Sequence, residues 1–112
     1  MTTPLPNADR AFVDPAKITA YLLSPTHKRG QHKAAFFRSF GFDLNNWELL
    51  RDALLEHART NAVVRTEPTS YGMMYEMAGR LVSPDGRNPN VLVVWTIRHG
   101  EDFPRLVSAV PS

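Results

Sequence analysis

The sequence contains no cysteine. That excludes a disulfide framework, a thiolate nucleophile and a cysteine metal site, and it suits a reducing compartment. No apolar run approaches the ~20 residues that a membrane-spanning helix needs. The opening MTTPLPNADRAFVD lacks the charged start and apolar stretch of a secretory signal. The expectation is a cytoplasmic chain with no membrane partner. No serine sits in a G-x-S-x-G elbow, and Gly41, Gly72 and Gly79 fall in no phosphate-cradling loop pattern.

The most local absence is that of acid. Between Asp14 and Asp43 there is no carboxylate, while Lys17, Lys28, Arg29, Lys33 and Arg38 place five positive charges in a chain whose formal net charge is +2. From Glu67 to the end, four arginines meet five acids. A local basic field attracts phosphate-rich partners; the alternative is a basic helix face that is simply solvated.

What is present reads as helices first and strands second. The 112 residues, 43% of them apolar, suffice for one domain with one modest core. Asp14-Pro15 pairs an N-cap acceptor with proline at the first helical position, predicting a helix through AKITAYLL with Ile18 and Leu22 inward. A second helix is predicted from near Gln31 to Phe40, striped by Phe36, Phe37 and Phe40 and closed at Gly41. Asn45 with Glu48 has capping-box spacing, and Trp47, Leu50, Leu54 and Ala58 then recur at helical intervals.

Beyond Asn61 the period falls to two. MYEMAGRLV and VLVVWTIRH alternate, with Val91, Val93, Trp95 and Ile97 on one face and Thr96 and Arg98 on the other. RLVSAV and AVVRTEPTS supply two more strands. Short connections favour an antiparallel meander. The expected fold is α+β: two or three N-terminal helices packed on one face of a C-terminal antiparallel sheet of about four strands. Residues 1–112 form a single domain, with an extended arm over 1–13, a helical part over 14–61 and the sheet over 62–112.

The stretch THKRGQHKAAFF carries the candidate chemistry. Gly30 turns the chain and brings His32 and Lys33 to a helix start, where free N–H groups and the helix dipole favour an anion. Histidine is the side chain most easily poised as acid or base near neutrality. His27 and His32 lie five apart, off one helical face, with cations around them, so no metal site is expected. His57 and His99 read as structural or solvent-facing, and Tyr71 is free to stack on a base.

Several segments together resemble a known family: LPNADRAFVD, KITAYLLSPTHKRGQHKAAFF, WELLRDALLEHA, YGMMYE, W-x-I-R and EDFPRLVSAVP, in that order. They resemble a bacterial family of small domains of unknown function, found alone or at the C-termini of larger proteins. Its most specific piece is H-x-x-G-x-H-K-A-x-x-F, here His27, Gly30, His32, Lys33, Ala34 and Phe37. That family is in turn similar to the toxin nucleases of the barnase–EndoU–colicin–RelE-like group, which cleave RNA without metal.

The resemblance implies an endoribonuclease toxin of a toxin–antitoxin or contact-dependent system, with no cofactor. Its implied partners are RNA, tRNA included, and a small acidic antitoxin or immunity protein. It implies His32, Lys33, His27, Arg98 and Ser108 as catalytic residues, and Lys28, Arg29, Arg38, Arg80 and Tyr71 as RNA contacts. His32, Lys33 and Arg98 should then converge on one open concavity. The alternatives are a non-catalytic module that holds an acidic protein or nucleic acid with the same patch, and a structural domain whose patch has no partner.

Overall fold

The computed structural model describes residues 3–112. Three helices precede a four-stranded antiparallel sheet of order β1-β2-β3-β4. Helix α1, Pro15–Lys17, starts as predicted: the Asp14 carboxylate accepts from the Ala16 N–H. It then widens into a π-turn over Ile18–Leu22, with the Leu23 N–H donating to the Ile18 carbonyl at 2.8 Å. Helix α2 spans Gln31–Ser39 and α3 spans Trp47–Thr60.

The cap of α3 differs from the sequence expectation. The capping box lies two residues upstream, between Asp43 and Asn46, around a 3₁₀ turn at Leu44–Asn46. Asp43 accepts from both Asn45 and Asn46 N–H groups, and Asn46 Oδ1 accepts the Asp43 N–H at 2.6 Å. A charged acceptor on two donors outcompetes Asn45, a neutral amide.

The strands are β1 Val63–Pro68, β2 Gly72–Arg80, β3 Asn90–Arg98 and β4 Arg105–Pro111. Val91, Val93 and Trp95 are wholly buried beneath the helices, with Met77 and Ala109 in register beside Val93. Phe37 anchors α2 in this core, packed edge-on to Phe36 and Phe42. A fully buried side chain of that size contributes about 1.5–3 kcal/mol. Gly41 closes α2 with a φ of 102°, the left-handed conformation expected there.

Two details shape the edge at β4. First, the N-terminal arm is stitched onto it: Phe12 donates to the Pro104 carbonyl and accepts from the Leu106 N–H. Second, β4 carries a bulge. Val94 pairs with Ser108 and Trp95 with Leu106, leaving Val107 as the extra residue. Bulges re-aim neighbouring side chains, and here the Ser108 hydroxyl comes within reach of α1.

Candidate functional site

The π-turn, the loop before α2 and the β4 bulge enclose a hollow of about 590 Å³ lined by Lys17, Tyr21, His27, Lys28, Arg29, Val107 and Ser108. No lining residue is a carboxylate. Tyr21 stands at its centre. Its hydroxyl lies 3.4 Å from the Ser108 hydroxyl. The Lys17 and Lys33 ammonium groups stand 5.5 and 5.2 Å from its ring centre, and the His27 ring meets it edge-on at 5.0 Å. These distances fit cation–π contacts, which fix the two lysine heads as well as the ring.

Local chain geometry explains why these groups meet. The His27 Nδ1 accepts N–H bonds from both Arg29 and Gly30 at 3.0 Å, and its carbonyl accepts the Gln31 N–H. The THKRG turn of residues 26–30 is therefore folded around its own imidazole. With Nδ1 an acceptor, the neutral ring carries its proton on Nε2. A Cβ at Gly30 would stand 2.2 Å from the Tyr21 carbonyl oxygen, so only glycine lets the start of α2 press against the π-turn. Lys33, one turn on, donates from Nζ to the Arg29 carbonyl at 3.2 Å.

The electrostatics are one-sided. Burial alone would raise the Tyr21 phenol, but the Ser108 hydroxyl and the Lys33 and Lys17 charges outweigh it and hold the phenol below its usual value. Seven ion pairs occupy the described residues, and none involves Lys17, Lys28, Arg29 or Lys33. Next to the hollow, sharing Lys17 as a wall, is a small depression lined by Phe12, Asp14, Arg98, Arg105 and Leu106. There Arg105 grips Glu101 with two bonds of 2.9 Å, which hold that carboxyl below its usual range. Arg98 has no carboxylate within ion-pair distance among the described residues.

The residues singled out in the sequence are thus distributed unevenly. His27, Lys28, Arg29, Lys33 and Ser108 gather around Tyr21. Arg98 is in the adjoining depression, and His32 lines neither. His32 and Arg38 are exposed on α2. Arg80 pairs with Asn90 at the far end of the β2–β3 ladder from Arg98, which the rise per residue places roughly 25 Å away. Tyr71, 71% exposed, sits in the β1–β2 turn, where its carbonyl accepts the His99 N–H. No group of three or more His, Cys, Asp or Glu side chains able to hold a metal ion occurs among the described residues. No helix among the described residues is long and apolar enough to cross a membrane.

Tyr21 was not singled out in the sequence, and Lys17 stood there only as one of the five cations of the acid-free window. Their i, i+4 spacing puts them on one helix flank, which is a readable signal, but Ile18 and Leu22 drew attention to the inward face beside it. His57 is a core residue, as one of its two readings had it: its Nε2 faces the Gly79 and Val91 carbonyls at 3.3 and 3.2 Å, and burial pushes its pKa down.

Among proteins of curated function, none matches the sequence. Among solved structures, the fold is similar to that of a chain in the "Contact-dependent growth inhibition toxin - immunity protein complex from Klebsiella pneumoniae 342", with a TM-score of 0.69 at 18% identity, over 89% of this chain and 98% of that one. At that identity the likeness is one of fold. The model of the family "Domain of unknown function (DUF6883)" matches residues 4–112, and the chain belongs to that family.

Proposed function

We propose that the protein is a metal-independent endoribonuclease that acts as a toxin of a contact-dependent or toxin–antitoxin system. The observation that carries this is the hollow itself: four cations meet around a phenol, an imidazole and a hydroxyl, with no carboxylate in the lining. RNA supplies its own nucleophile, the 2′-hydroxyl. The protein must supply charge stabilisation at the phosphorus, hydrogen-bond donors and a proton acceptor. Lys33, Lys28, Arg29 and Lys17 bear on the phosphate. Ser108 and the His27 Nε2–H are donors. His32, Arg98, Arg38 and Tyr71 lie outside the hollow and contact flanking nucleotides, whereas Arg80, at the far end of the β2–β3 ladder, stands beyond their reach. Fold similarity to a chain of a toxin–immunity complex supports the toxin role. It also supports an immunity protein as partner, here one whose acidic surface covers the hollow. The substrate is cytoplasmic RNA, tRNA included.

The test is cleavage of bulk tRNA and single-stranded RNA in the presence of a chelator. The native chain should cleave, Lys33→Ala should lose about 100-fold or more, and His32→Ala should lose less. Absence of cleavage with retained binding would favour the second reading, a non-catalytic module that holds an acidic protein or nucleic acid. The observation behind that reading is the His27 Nδ1, already occupied by two backbone N–H groups and so no base.

A further inference from the structure

If neither ring nitrogen of His27 is free to accept a proton, the hollow needs another base. Its lining offers few choices: Lys17, Lys28 and Arg29 are cations, and Val107 is inert. His32 lines neither depression. The remaining oxygen acids are Tyr21 and Ser108, and their hydroxyls face one another at 3.4 Å.

Resting on the ribonuclease reading above, we propose that Tyr21, as its phenolate, is the general base that takes the proton of the RNA 2′-hydroxyl, with Ser108 as the positioning residue that holds its oxygen. The geometry supports this from three sides. Ser108 can donate to the phenolate oxygen from β4. The Lys17 ammonium from α1 and the Lys33 ammonium from α2 stand over the ring and favour its anionic form. His27 from the connecting loop packs edge-on against it, and the Lys28 and Arg29 charges lie on the same wall. The lowered pKa of the phenol agrees with these contacts.

The step balances as follows. Tyr21 Oη takes the 2′-hydroxyl proton, and the freed electron pair of the 2′-oxygen forms a bond to phosphorus. The P–O5′ bond breaks, its pair leaves on the 5′-oxygen, and that oxygen takes a proton from the Lys33 ammonium. The products are a 2′,3′-cyclic phosphate and a 5′-hydroxyl. Nothing is oxidised or reduced, and the Tyr21 proton returns to Lys33 through solvent.

The test is a single-turnover pH–rate profile on bulk tRNA and on a synthetic single-stranded RNA, in chelator, for the native chain, Tyr21→Phe, Ser108→Ala and the control Tyr75→Phe, whose ring packs against the core outside the hollow. Tyr21→Phe keeps the ring that the lysines and His27 pack on. The native rate should rise with pH to a plateau, with cyclic-phosphate ends. Tyr21→Phe should be about 100-fold slower and lose the rising limb, while binding a non-cleavable 2′-O-methyl RNA within about threefold of native. Ser108→Ala should move the limb to higher pH. A Tyr21→Phe chain that cleaves as the native does, or that is slower but keeps the limb, overturns the inference while the ribonuclease reading stands. A native chain that cleaves neither RNA overturns both.

Discussion

Two regions of this molecule treat their positive charges in opposite ways. Between Asp14 and Asp43, none of the five cations has a carboxylate partner among the described residues, and four of them converge on Tyr21. Elsewhere, six of the remaining eight are paired: Arg10, Arg51, Arg59, Arg65, Arg87 and Arg105. Helix α3 and, apart from Arg80 and Arg98, the sheet neutralise themselves locally. Arg65, for example, bridges Glu76 and Glu67 across β1 and β2 at 2.7 and 2.8 Å. The hollow does not, and like charges held together at short range repel one another. That repulsion is relieved when an anion enters, which is the physical reason for placing the phosphate there.

The contrast suggests ways to break it. The largest effect is expected from introducing the missing acid. Lys17→Glu should lower RNA cleavage by about 100-fold or more, while Arg80→Glu, a like reversal at the far end of the ladder, should leave the rate close to native; both are read by the chelator assay. Gly30→Ala should come next. Its Cβ meets the backbone oxygen of Tyr21, so α2 must back away at a cost of about 1–3 kcal/mol, seen as a lower denaturation midpoint together with weaker cleavage.

The core offers a pH counterpart. His57 is neutral in the fold, donating from Nε2 to two carbonyls, and burial holds its pKa below the ordinary value. The unfolded chain therefore binds this proton first as pH falls. The stability that the neutral ring confers is complete above about pH 6.5 and is lost as pH drops below that. Thermal midpoints should fall from about pH 6.5 towards 5, and His57→Gln should flatten that slope. The smallest expected effect is on salt dependence. Lys28→Gln should reduce the slope of log affinity against log salt for single-stranded RNA by about 0.7, and Arg65→Gln should leave it unchanged.

The fold was legible because its signals are periodic. Alternation placed Val91, Val93 and Trp95 on the buried face, and the spacing of Trp47, Leu50, Leu54 and Ala58 marked α3. The acid-free window was equally plain, and six of the residues drawn from it or from the family resemblance, Lys17, His27, Lys28, Arg29, Lys33 and Ser108, do meet. What the sequence hid arises from irregular backbone. The π-turn at Ile18–Leu22 sets Tyr21 against Gly30, and the bulge at Val107 swings Ser108 towards it. Neither irregularity has a periodic signature, so Tyr21 went unnoticed. The position of the cap of α3 was missed for a simpler reason: Asp43 precedes a 3₁₀ turn that is itself the first turn of the helix. His32 matched the family pattern, yet its place on the exposed side of α2 depends on helix phase relative to the π-turn, which spacing alone does not give.

The central claim is that the phosphodiester binds in the Tyr21 hollow. The most direct measurement is an NMR titration of the native chain with single-stranded 2′-O-methyl RNA, which lacks the nucleophile and is not cleaved. The largest amide shifts should fall on Tyr21, His27–Gly30 and Val107–Ser108, with Arg80–Leu81 and Asn90 unmoved. Shifts concentrated at Arg80 and Asn90, or on the open sheet face around Arg65 and Glu76 with the hollow silent, would contradict it.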